Sequence, residues 1–304
     1  MATAQATRHD LSYWQGARYR QGHPRGHYES WFLRANHPVR KLAFWIRYTI
    51  FAPHGRPQDA IGELWAIHFD GERRLIRAAR SELPIRDCHF APSGLDVRIG
   101  DATLNAGELR GSASGAHCIG WTLKYRDGGT PMIFLPKRAY EARLPKAKAV
   151  CTRPQVVFDG ALEVDGESIA IDGWVGSENH NWGSKHTDTY AWGQVAGFDY
   201  APEAFLECAT ARLKLGPLWT PPTHLLEQQA CCVRTDARTL RRAPRHADDT
   251  SPRCVRNTDV GLADLVQCGA ITGTSRFAPR GTAGGLMQAT SPAPRHCGDF
   301  SSVG

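Results

Sequence analysis

Residues 28–223 predict an all-β fold, a barrel or sandwich built from many short strands. Three observations carry this. Apolar and polar residues alternate in short runs, Gly, Asn and Asp punctuate those runs at close spacing, and helix signals are weak throughout. In chain order, KLAFWIRYTIF (41–51) is rich in aromatic and β-branched residues and reads as a strand. GELWAIHFDG (62–71) alternates, with Leu64, Ala66, His68 and Asp70 on one face. Asp70-Gly71 then supplies a turn. His68 and Asp70 read as polar surface. IRAARSEL (76–83) reads as a short helical turn. CHFAPSGLDVRIGDATLNAGELRGSASG reads as several short strands broken by Gly, Ser and Asn. HCIGWTLKYRDGGTPMIFLP reads as a strand, a Gly-Gly turn and a second strand. QVVFDGALEVDGESIAIDGWVG reads as two hairpins, turning at Asp159-Gly160 and Asp165-Gly166. AFLECATARLKLG (204–216) alternates again. PKRAYEARLPKAKAVC (136–151) breaks the pattern with Pro and charge, as a connection between domains does.

The chain of 304 residues is long enough for one large domain or two modest ones, and 41% hydrophobic with 22% charged residues is ordinary globular composition. The formal charge is +7. The Lys and Arg residues are scattered rather than run together, which argues against a nucleic-acid partner. No window reaches the roughly 18–20 apolar residues of a membrane helix. MATAQATRHDLSYW lacks the apolar stretch of a secretory signal. A cytoplasmic protein is expected, with peripheral membrane contact as the one allowed addition. Cys88, Cys118, Cys151 and Cys208 lie far apart and read as buried thiols. The five later cysteines lack zinc-ligand spacing.

Composition changes after Thr223. Every Trp and Tyr lies before it, and the last Lys is Lys214. Only Phe277 and Phe300 are aromatic beyond it. Large aromatics supply much of a core's burial. Residues 224–304 are therefore expected to be a low-order tail, either a disordered segment or an out-of-frame translation. The expected organisation is an N-terminal extension (1–24), a first β unit (25–140), the start of a second (141–223) and the tail.

The run 173–199, GWVGSENHNWGSKHTDTYAWGQVAGFD, sets acid, imidazole, amide and indole side by side, which suits a polar site in an aromatic-walled cavity. Tyr28-Glu29-Ser30-Trp31-Phe32, with Asn181-Trp182-Gly183 and Trp192-Gly193-Gln194 later, resembles the signatures of the tocopherol cyclase family. More loosely, it is similar to the carotenoid 1,2-hydratases, whose His-x-Trp element is matched by His180-Asn181-Trp182. The resemblance covers about 25–223. It implies two lipocalin-like β-barrels around an apolar cavity, the second incomplete here. It also implies cofactor-independent, acid-catalysed cyclisation or hydration of a prenyl or polyene lipid.

That chemistry needs a carboxyl whose pKa burial has raised, and indole faces around the cation. Glu178, Asp188 and Glu29 are candidate acids. His180 is a candidate to orient one of them. Trp31, Trp182 and Trp192 are candidate walls, and Asn181 and Gln194 candidate ligands for a substrate oxygen. Glu207 stands loosely where the hydratases carry an acid and ranks below the motif residues. Against this, Trp182 and Trp192 also suit core packing, Glu29 could simply pair with Arg34, and His180 and His186 could be structural. His180, His186 and Asp188 have metal-ligand chemistry but no recognised spacing, so no metal is expected. No phosphate-binding glycine loop sits between a strand and a helix, so no nucleotide cofactor is expected either. The competing reading is a non-catalytic carrier of a hydrophobic ligand.

Overall fold

The computed structural model describes residues 11–187, 189–198, 201–212, 214–215, 217–220 and 223–230. Asp188 and residues 231–304, including the five late cysteines, lie outside the described residues.

The described chain is nearly all β. Its main sheet is assembled from β1 (His27–Asn36), β2 (Leu42–Ala52), β3 (Ile61–Asp70), β4 (Leu75–Pro84), β5 (Cys88–Phe90), β6 (Asp96–Ile99), β7 (Ala102–Asn105), β8 (Glu108–Ser114), β9 (Cys118–Asp127), β10 (Met132–Ile133), β11 (Ala147–Val164) and β12 (Glu167–Gly183). The spatial order is β4-β3-β2-β1-β12-β11-β9-β8-β7-β6-β5, with β10 on β11. The sheet curls into a nearly closed barrel, and its edge strand β4 comes close enough to the end of β8 for the Ser114 N–H to bond Ser81 Oγ at 3.0 Å. β11 and β12 lie past residue 140 yet complete the same sheet as β1–β9. They are held by β1 on one side and β9 on the other. A second sheet follows, from β13 (Thr189–Phe198), β14 (Ala201–Arg212) and β17 (Thr223–Ala230), in that order. A two-stranded ribbon, β15 (Lys214–Leu215) with β16 (Leu218–Trp219), interrupts it. Strand pairing thus reaches residue 230.

The barrel interior is filled by side chains. Trp31, Leu33, Phe44, Ile46, Tyr48, Trp121, Phe158 and Trp174 form one buried cluster with their neighbours. His68 and Asp70 belong inside as well, at 2% and 5% exposure, which corrects their reading as surface. They share the inward parity of Leu64 and Ala66 on β3, and parity decides burial in a strand.

Four further expectations change. Residues 76–83 lie in β4, an edge strand paired along its length with β3, because pairing overrides a weak local helix preference. Asp127 and Gly128, both at positive φ, end β9 without making a hairpin. The short β10 that follows pairs with β11 instead. Asp159-Gly160 is a bulge inside β11 rather than a turn. Gly160 has φ +133°, and a Cβ there would meet Thr122 O at 2.2 Å. The Asp159 carboxylate accepts the Gly173 N–H across the strand pair, at 2.9 Å. Asp165-Gly166 does turn, with φ 52° and 87°, so the expected two hairpins are one hairpin of two long strands. Between the two regions, residues 136–151 supply a short helix, Lys137–Glu141, and the start of β11.

Candidate functional site

The pairing of β1 with β12 places Trp31 opposite His180 and Leu33 opposite Glu178. Because side chains alternate along a strand, the run Glu178-Asn179-His180-Asn181-Trp182 is divided between two faces of one wall. Glu178, His180 and Trp182 join Glu29 and Trp31 on the barrel side. Ser177, Asn179 and Asn181 join Ser30, Phe32 and Arg34 on the side of the second sheet.

On the barrel side, Glu29 is fully buried and four donors converge on its carboxylate. The Arg18 N–H (2.7 Å) and His180 Nε2 (2.9 Å) reach Oε1. The Tyr19 N–H (2.9 Å) and His27 Nε2 (2.8 Å) reach Oε2. Burial alone would raise this carboxyl; the hydrogen bonds and charges of His180 and His27 outweigh it and hold it at about 2. The other nitrogen of His180, Nδ1, lies 2.6 Å from Trp14 O, so both ring nitrogens face acceptors. The ring stacks on Trp31 at 4.7 Å and 9° and leans on Trp182 at 4.7 Å. Glu178 is equally buried and has neutral partners. Gln15 Nε2 donates to it at 2.6 Å, Thr152 Oγ1 at 2.7 Å and the Tyr125 hydroxyl at 2.7 Å. Burial, and then Glu178, push the Tyr125 phenol well above its ordinary value. Trp31 Nε1 donates to Gln15 O at 2.8 Å, and Trp14 packs with Tyr140, Val150 and Trp182. This cluster therefore binds residues 14–19 of the chain itself.

On the other side, Gln194 of β13 is the hub. Its Oε1 accepts from Arg34 Nε and from Ser177 Oγ (2.6 Å). Its Nε2 donates to Glu207 Oε2 (2.6 Å) and Asn179 Oδ1 (3.1 Å). Asn179 Nδ2 closes the ring onto Ser177 Oγ at 2.8 Å. Both amide hydrogens and both lone pairs of Gln194 are used, which fixes its orientation. Glu207 of β14 sits opposite Gln194 in the strand register, and its Oε1 accepts from Trp192 Nε1 at 2.8 Å. Burial raises the Glu207 carboxyl above its ordinary value, against the pull of Trp192, Gln194 and Arg34. Arg34 is 1% exposed, and burial lowers it to about 10. Its Nη2 is buried with no hydrogen-bond partner among the described residues. The free thiol of Cys151 lies in the same network, 3.9 Å from Gln194 Nε2, and burial pushes it well above its ordinary value. Trp192 meets Phe32 edge to face at 5.8 Å.

The predicted residues thus fall into three places. Glu29, Trp31, Glu178, His180 and Trp182 gather on the barrel side. Trp192 and Gln194 meet Glu207 on the other, and Asn181 bonds the Ser30 hydroxyl at 2.8 Å. His186 stands apart, edge-on to Tyr28 at 5.0 Å. The anticipated Glu29–Arg34 pair does not form, since the two residues are five apart and lie on opposite faces of β1. Arg34, Ser177 and Cys151 went unweighed as site residues. One signal for Arg34 was present: a lone charge inside the apolar run SWFLRAN, on the parity of Phe32. No group of three or more His, Cys, Asp or Glu able to hold a metal ion occurs among the described residues. No described helix is long and apolar enough to cross a membrane.

No protein-family model matches the chain. Uncharacterised proteins of Mycobacterium tuberculosis, from strains CDC 1551 / Oshkosh and ATCC 25618 / H37Rv, are each 24% identical to it over 205 residues, 66% of this chain. The chain spans only 56% of the length of those relatives. Among solved structures it is similar to a candidate AttH from Nitrosomonas europaea, with TM-score 0.48, 14% identity and coverage of 70% of this chain and 72% of that one. It is also similar to kievitone hydratase from Nectria haematococca, with TM-score 0.41, 13% identity and coverage of 66% and 63%. For CghA the values are TM-score 0.42, 13% identity and coverage of 67% and 58%.

Proposed function

We propose that the chain is a cofactor-independent acid catalyst that hydrates or cyclises an alkene-bearing apolar lipid, with Glu207 as the proton donor. One observation carries this reading. Glu207 is a buried carboxyl raised by its surroundings, with both oxygens oriented by Trp192 and Gln194 and an unpaired guanidinium nitrogen in the same network. A raised carboxyl keeps its proton to higher pH and can give it to an alkene carbon. The alkene becomes a tertiary carbocation and Glu207 a carboxylate, stabilised by the N–H groups of Trp192 and Gln194 and by the charge of Arg34. Water or a phenol oxygen of the substrate then bonds the cation, and its proton returns to Glu207, so the acid is regenerated. The aromatic pair Trp192 and Phe32 offers the apolar surroundings such a cation needs. The prenyl or polyene class comes from the resemblance of the two Trp-containing motifs. Glu29 on the barrel side serves differently: a carboxyl held at about 2 has no proton to give near neutral pH.

The test is turnover of prenylated quinols and polyenes by the full chain in D₂O. One solvent deuterium should appear at the protonated carbon. Glu207→Gln should keep ligand affinity and lose turnover. Binding without turnover in the unaltered chain would favour the carrier reading instead.

A further inference from the structure

The segment before β1 has an unusual charge balance. Residues 11–28 contain Arg18, Arg20, Arg25, His23 and His27 and no Asp or Glu. The fold folds this segment over one end of the barrel, where it forms a groove of about 240 Å³ with Ser184. No carboxylate among the described residues lines the groove. Of the two acids that flank this stretch, Asp10 lies outside the described residues, and Glu29 is buried and already saturated by His27, His180 and two backbone N–H groups. Arg18 is partly engaged, donating to Tyr13 O at 2.6 Å and lying 4.1 Å from the Tyr13 ring centre. The Arg20 and Arg25 side chains are exposed and form no hydrogen bond or ion pair among the described residues. Tyr19, also lining the groove, has a buried hydroxyl with no partner among the described residues.

We propose that this groove binds a phosphate group, free or carried by a larger ligand. Cations concentrated around a concavity without a compensating acid raise the local potential for an anion. Guanidinium forks match the paired oxygens of phosphate, and a dianion fits several of them at once. The site is separate from the Glu207 network, on the far side of the β1–β12 wall, so it stands whether or not that network is catalytic.

The experiment is calorimetric titration of the full chain with inorganic phosphate and with pyrophosphate, against chloride at matched ionic strength. Sedimentation with phosphatidylcholine vesicles, with and without phosphatidic acid, runs in parallel. The double variant Arg20→Gln/Arg25→Gln is compared throughout; both side chains are exposed, and Arg18 is left in place because it packs on Tyr13. Saturable phosphate binding that weakens about tenfold or more in the double variant supports a free phosphate ligand. Binding only to vesicles with phosphatidic acid, lost in the double variant, supports a lipid headgroup as the source. No binding in either arm, or binding that the double variant leaves unchanged, overturns the proposal.

Discussion

The two faces of the β1–β12 wall carry carboxyls of opposite character. Glu29, on the barrel side, is ringed by two imidazoles and two backbone N–H groups and is held at about 2. Glu207, on the other, meets an indole, an amide and the Cys151 thiol and is raised by its burial. Both are almost fully buried, so burial does not separate them. What separates them is whether imidazoles touch the oxygens. Of this pair, the acid with imidazole partners is held low and fastens the chain, and the acid without them is raised.

The sharpest way to break this comparison is to neutralise each acid in turn. Glu207→Gln is expected to lower turnover by about 10²–10⁴-fold, as loss of a general acid does. Steady-state rates on the lipid substrates check this, with far-UV circular dichroism to confirm folding. If the activity survives, Glu207 is not the donor.

Glu29→Gln is expected instead to act on stability. It removes the buried charge on which His27, His180 and two backbone N–H groups converge, at a cost of about 3–5 kcal/mol. Urea unfolding measures it. The same pair predicts a pH dependence. Because the folded pKa lies below the ordinary 4.5, the stabilisation is complete above that value and is lost as pH falls toward about 2. Urea midpoints taken from pH 6 down to pH 3 should fall in the unaltered chain and flatten in Glu29→Gln.

A smaller effect is expected at Gln15→Leu, which removes a donor from Glu178 and one tie on the segment 14–19. About 1–3 kcal/mol should be lost, with faster amide exchange in that segment. The smallest belongs to Trp192→Phe. Removing the indole N–H takes away a contact that lowers Glu207. The rate, which should fall as pH rises through the Glu207 pKa, should therefore fall at a higher pH in the variant. An unchanged pH profile would mean that the titrating group is another one.

Much of the fold was legible in alternation. The strands at 41–51, 62–70 and 204–212 follow from period-2 patterning, and Asp165-Gly166 turns as such a pair should. Asp159-Gly160 misled because the same dipeptide chemistry serves a bulge when a neighbouring strand is there to pair with it. The site was legible as a rich stretch of residues but not as two clusters. Glu178 and Asn179 are adjacent in the chain and face opposite ways, and the residues they meet, Gln15 and Gln194, are 163 and 15 positions away.

The sequence by itself determined the all-β character, the position of the polar stretch, and the compositional break after Thr223, because each is a property of local pattern. Only the tertiary structure decided which acid is raised and which is lowered. That choice depends on which groups the strand register brings within hydrogen-bond distance of each carboxyl. Glu29 meets His180 through the β1–β12 register, and Glu207 meets Gln194 through β13–β14. Hydrogen bonding and Coulomb attraction act across space over a few ångströms, and no spacing along the chain encodes them.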